Sequence, residues 1–299
     1  MSATAAPNPP TPLRASDPHC KFKDNLGALT EFAGTWVGNG FNVMSLPDFD
    51  STPPSTGPKN FRLKLNATRE LLQFIPTGGA IPNRGAVTAL DATTGQNDIE
   101  LFGLTYLQRI SDAVTNAALH IEPGLWLNVP ASSIPRQGPT LVRTGNVPHG
   151  NSLLAQSHSV QTMPGKPRIG LANSRPAGLA VTDEMLARFN DPAPPLPPGM
   201  PPDWVADPNQ ALIAAIAGQE IISSTSIVIS TSHASCGILN IPFVVSNAKP
   251  LQLDAIFWIE TVRQPDGSSF MQLQYTQTVL LTFLGINWPH ISVATLVKQ

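Results

Sequence analysis

Six histidines, His19, His120, His149, His158, His233 and His290, are the side chains of this sequence best suited to chemistry near neutral pH. The imidazole is the one side chain that changes charge there unaided, and it is the commonest metal ligand. Three of the six stand beside Gly, Pro or Trp at the ends of strand-like runs: His120 in LHIEPGLW, His149 in VPHG and His290 in NWPHISVATL. Glu122 follows His120 by two positions. Two residues apart on one strand share a face, so His120 and Glu122 are the candidate acid and base of a catalytic pair. His19 and His233 lie in polar, loop-like stretches and His158 in QSHSV, which suits solvated surface. For the other three, a hydrogen-bonded structural role is the plain alternative to ligation.

Recognised enzyme templates are missing. The sequence has no GxSxG elbow, no GxxxxGK[ST], no HExxH and no Cys/His zinc spacing. Cys20 and Cys236 set no disulfide framework, and Asp48 and Asp50 lack the rest of a calcium loop. Among 299 residues with net charge −2, only 13% are charged and 41% are apolar. That composition excludes disorder of the low-hydrophobicity kind for most of the chain. Lys and Arg are scattered singly, so no nucleic-acid partner is expected. No run of ~18 apolar residues exists, so no membrane span is expected either. A cytoplasmic location follows by default, and a homodimer stays open.

Positioning the histidines falls to strands. Proline is abundant, 31 residues, and it breaks helices and central strands, which implies many loops between short strands. Ser269–Phe283 alternates: Met271, Leu273, Tyr275 and Val279 on one face, Gln272, Gln274, Thr276 and Thr278 on the other, the mark of a half-buried antiparallel strand. Further strands are expected at Gly34–Met44, Asn60–Ile75, Asp98–Asp112, Thr140–Val147, Ser152–Val160, Glu220–Ser230, Gly237–Val245, Leu251–Arg263 and Ile291–Lys298. Ala118–Val129 reads as two strands split at Pro123-Gly124. Pro265-Asp266-Gly267 is a hairpin turn. Gly34, Gly38 and Gly40 share a strand face, where absent side chains let a backbone or a flat ligand come close. Short helices are expected at Thr182–Phe189 and Pro208–Ala217, the second with Asp207 as its cap. The expected fold is all-β: an antiparallel barrel of about ten strands over residues 27–299. A flexible segment, 1–26, precedes it, and a Pro-rich insertion at about 161–218 lies across one barrel end. Closure would remove the exposed edges of so many strands.

Four stretches, in this order, resemble the nitrobindin family of haem-binding β-barrels, which are related in shape to fatty-acid-binding proteins and lipocalins. Gly34-Thr35-Trp36-Val37-Gly38-Asn39-Gly40 is similar to the family's opening GTWxGxG. Leu119 to Trp126 is similar to its LHxExGxW/F, Val147-Pro148-His149-Gly150 to its HPxG segment with the order altered, and His290 to Leu296 to its closing HLxATL. The resemblance implies a barrel holding haem b with His290 as the iron ligand. It places His120 on the opposite side, with His149, Trp36, Gly38, Gly40, Phe41 and Trp126 around the cofactor. Phe102 and Met44 are further wall candidates, and Arg62, Lys64 or Arg143 would meet the propionates. The expected function is haem binding, with reactivity toward nitrogen oxides or peroxide. Two other readings stand beside it: a haem-free carrier of an apolar molecule, and a lyase or isomerase using His120 and Glu122.

Overall fold

The structure is a computed structural model that describes residues 24–48, 61–86, 95–193 and 195–299. Cys20, His19, Asp50 and most of the expected flexible N-terminal segment lie outside the described residues. Ten long strands dominate: β1 Gly34–Pro47, β2 Phe61–Pro76, β3 Ile99–Asp112, β4 Ala118–Val129, β5 Thr140–Val147, β6 Asn151–Pro164, β7 Glu220–Ser230, β8 Lys249–Arg263, β9 Ser269–Phe283 and β10 Ile286–Lys298. Each pairs antiparallel with the next, and β10 returns to β1. The result is a closed up-and-down barrel in which no main strand keeps a free edge.

One expected break is absent, and one expected strand is cut short. β4 runs straight through Pro123-Gly124. Pro123 stands one position before the pairing with β5 begins at Gly124, where a missing N–H is tolerated. A Cβ at Gly124 would lie 2.0 Å from the Thr144 carbonyl oxygen and 2.5 Å from the Tyr106 ring, so this glycine admits neighbours rather than ending the strand. Conversely, the run expected as a strand from Gly237 stops at Asn240 and becomes the short helix α3, Pro242–Asn247. Pro242 at the first helical position presets the φ that a helix needs.

The barrel interior is filled at one end and hollow at the other. A 3₁₀ turn, Gly27–Thr30, sends Leu29 inward, with Leu26 and Phe32 beside it. They pack among Trp36, Trp126, Phe257 and Leu104 in one buried cluster. The Phe32 and Trp126 rings stack at 5.3 Å, and Phe257 meets Trp126 edge-on at 5.2 Å.

Residues 165–219 leave the barrel between neighbouring strands β6 and β7 and lie along its side, not over its end. They carry α1, Asp183–Asn190, and α2, Asn209–Ile216. Met185 and Phe189 of α1 pack in a cluster with Val43 and Trp288. Leu212 of α2 packs with Trp258, Ile291 and Val293. Thr182 caps α1 by accepting from the Met185 amide. Asp207 does not cap α2; its carboxylate accepts from the Ala172 amide and the Gln210 side chain.

Candidate functional site

Above the filled end lies a cavity of about 490 Å³. His120, His149 and His290 all line it, with Glu122, Gln108, Tyr275 and Gln277. Met44, Leu46, Ile110, Leu253, Val279 and Leu281 give it an apolar body, and α3 borders its mouth through Phe243 and Val244. A second hollow of about 620 Å³, between α2 and the outer wall, has no titratable side chain in its lining. The ionisable chemistry therefore belongs to the interior cavity.

Strand alternation aims the histidines. On β10, His290, Ser292, Ala294 and Leu296 share the inner face: the first two line the cavity and the last two join the filled core. His290 is paired with Val279 on β9. His120 stands on β4, four strands round the ten-stranded ring, and His149 follows the end of β5. The single imidazole of β10 thus faces the other two across the hollow. The His120 and His149 rings are 6.1 Å apart. Among the described residues no group of three or more His, Cys, Asp or Glu converges on a metal-sized point. The three rings share a space without forming a chelate.

His290 is half-buried and lines the cavity. Burial pushes its pKa down to about 3, with the charges of His120 and His149 adding to the effect. Burial lowers His149 too. His290 is therefore a neutral imidazole with a free lone pair across the ordinary pH range.

His120 is held differently. Its Nε2 lies 3.2 Å from Oε2 of Glu122, which is fully buried. Arg143 Nη2 donates to Glu122 Oε1 at 2.7 Å, and the Tyr106 hydroxyl donates to the same oxygen. Arg143 also donates through Nε to Tyr106 at 3.1 Å and through Nη1 to Gln277 Oε1 at 2.8 Å. Burial alone would raise the Glu122 pKa; Arg143 and the His120 and Tyr106 hydrogen bonds outweigh it and bring it to about 2. Glu122 is thus a fixed anion that orients His120.

A second buried carboxyl lies on β2, with only β3 between its strand and that of Glu122. Glu70 accepts from Tyr275 Oη at 2.6 Å, from Thr68 Oγ1 at 3.0 Å and from Gln108 Nε2 at 3.3 Å. Among the described residues no cation contacts it, and burial raises its pKa despite these bonds. Sequence reading missed Glu70, Tyr106, Gln108 and Tyr275 as site residues. Tyr275 was legible only as an apolar-face residue of β9, because its partner is 205 positions away.

Other expected wall residues sit elsewhere. Trp36 and Trp126 are in the filled core below the cavity, and Phe102 packs against that core. Phe41 is on the outer face of β1, edge-on to Trp204 at 5.7 Å, because residues of odd number on β1 point away from the interior. Gly38 and Gly40 make room for backbone, not ligand: a Cβ at either would lie 2.1 Å from a β10 carbonyl oxygen. Lys64 and Met44 do line the cavity. Arg143 is sealed in its ion pair with Glu122, and Arg62 is exposed on β2 outside the lining. His158 and His233 stack on each other at 4.5 Å, away from the cavity.

Closed meander and interior cavity together define a β-barrel of the ligand-binding type. A solved structure, the crystal structure of Rv2717c from M. tuberculosis, is similar to it over 92% of this chain and 97% of that one, at 15% identity and a TM-score of 0.43. No protein-family model matches the chain, and no curated protein matches it. Among the described residues no helix is long and apolar enough to cross a membrane.

Proposed function

We propose that the cavity binds haem b through His290. The observation that carries this reading is the placement of one neutral imidazole on β10 facing two others, His120 and His149, across a largely apolar hollow. A haem needs a flat apolar slot and one axial nitrogen, and a neutral ring supplies that nitrogen. The donor set suits such an iron: His290 carries no competing proton, and Lys64 at the lining offers a cation to a propionate. When bound, the haem would supply an iron able to react with nitrogen oxides or peroxide. Around it the chain's own residues do the rest. Glu122, fixed as an anion by Arg143, holds the His120 ring by Nε2–H and so sets its orientation. That leaves the other ring nitrogen of His120, Nδ1, for a ligand in the cavity. Met44, Val279 and Leu281 exclude water from the slot.

The test is an absorption titration. Haemin added to the purified protein is expected to give a sharp Soret band, weakened at least about tenfold in affinity in His290→Ala and retained in His120→Ala. No band, or an unchanged band in His290→Ala, overturns the reading.

An iron-free carrier of an apolar molecule is the second reading. It is favoured by α3, whose Phe243 both lines the cavity and is 72% exposed, a greasy door at its mouth. A colourless protein that takes up apolar dyes but no haemin would support it.

A further inference from the structure

One row of side chains on the His290 wall is not needed to hold an iron. Asn42 on β1 lines the cavity and is 4% exposed, yet its Oδ1 has no hydrogen-bond partner. Buried polar atoms without partners are rare in folded proteins, and each asks for an explanation. Asn42 is paired across β1 and β10 with Ser292, and Ser292 across β10 and β9 with Gln277. All three line the cavity. Gln277 keeps its Oε1 on Arg143, which leaves its amide nitrogen as a donor along the row. One inward step below, the Tyr275 hydroxyl donates to Glu70, so toward the cavity its oxygen can only accept. Met44, Leu46, Val279 and Leu281 supply apolar surface in the same lining.

We propose that the row Asn42, Ser292 and Gln277 is a polar subsite for a hydroxyl group carried on an apolar molecule. A hydroxyl donates one hydrogen bond and accepts others, so it satisfies Asn42 Oδ1 and can accept from Gln277 at once. An ether or a bare hydrocarbon of the same shape leaves the Asn42 oxygen unsatisfied. Sites built to bond a ligand hydroxyl reject its analogue for that reason. The proposal shares with the haem reading only the premise that the cavity takes a ligand, and it needs no iron.

The experiment uses the full chain without haem and a matched pair of probes, 1-naphthol and 1-methoxynaphthalene, followed by calorimetry or probe fluorescence. Naphthol is expected to bind about tenfold tighter or better. That preference should shrink to about twofold in Asn42→Leu, and to an intermediate value in Ser292→Ala. Equal affinities in the unmodified protein, binding of neither probe, or a preference that survives Asn42→Leu overturns the proposal. The unmodified protein decides by itself should Asn42→Leu fail to fold. A protein that gives no Soret band but prefers naphthol loses the haem reading and keeps this one; a Soret band with no naphthol preference does the reverse.

Discussion

The hydroxyl of Tyr275 on β9 donates to Oε2 of Glu70 on β2 at 2.6 Å, although β10 and β1 lie between them. The residues the ring must cross are Ala294, paired with Tyr275, and Gly40, paired with Ala294. Their smallness is what lets one tyrosine span four strands. Gly40 also lets β10 approach, since a Cβ there would sit 2.1 Å from the Val293 oxygen. Gly40→Ala is expected to destabilise by about 1–3 kcal/mol through overpacking. Gly79→Ala, where nothing lies within 4 Å of the added carbon, should stay within about 0.5 kcal/mol. Urea denaturation midpoints of the two variants check the contrast.

His290 makes acid stability a readout of its burial. Its folded pKa, about 3, is below the ordinary 6.5. The unfolded chain therefore binds a proton in that window that the folded chain refuses, and stability falls as pH drops through it. Between pH 7 and pH 5 the loss from this group is about 2 kcal/mol. His290→Leu should flatten the stability curve by that amount over the same interval, measured by urea unfolding at each pH. An unchanged slope would mean that the ring is solvated.

Glu122 and Arg143 form an ion pair with 0% and 2% side-chain exposure. Removing one partner strands a buried charge, so Glu122→Gln or Arg143→Met should each cost about 3–5 kcal/mol. The double variant should cost well below the sum of the two. Because the Glu122 pKa is depressed to about 2, its contribution is present above the unfolded value of 4.5 and is lost as pH falls toward 2. A double-mutant cycle at pH 7 measures the coupling.

Glu260, on the outer face of β8, is buried with Oε1 unpartnered, and its other oxygen accepts from Gln272 at 2.6 Å. Burial raises its pKa to about 7. Here the sign reverses: the unfolded chain ionises first, so stability falls as pH rises from 4.5 through 7. Glu260→Gln should remove about 2 kcal/mol of the loss between pH 5 and pH 8. Parallel thermal melts of the two proteins at both pH values would show it, and identical pH profiles would contradict it.

Much of the barrel was legible because a strand writes its two faces into alternate residues. Ser269–Phe283 and Glu220–Ser230 were bounded as they stand, and the turn at Gly267 has the positive φ its sequence requires. His120, His149 and His290 were singled out by type and context, and the structure gathers them at one cavity. Phe41 was misplaced because a run of apolar residues does not say which face is the inside. β1 has apolar residues on both faces, one meeting the core and the other meeting the covering segment 165–219.

That covering also decided the fate of the β9 polar face. Gln272, Gln274 and Thr276 have the pattern of a wet surface, yet they are buried, bonded to Gln219, to the Leu212 carbonyl and to Asn209. The sequence by itself determined the strands, their alternation and the residue types able to do chemistry, since those depend on neighbours along the chain. Only the tertiary structure decided that Arg143 would fix Glu122 as an anion, that Tyr275 would reach Glu70 and that His290 would be kept neutral. Each of these states is set by desolvation and by partners from distant strands, and neither exists until the barrel closes.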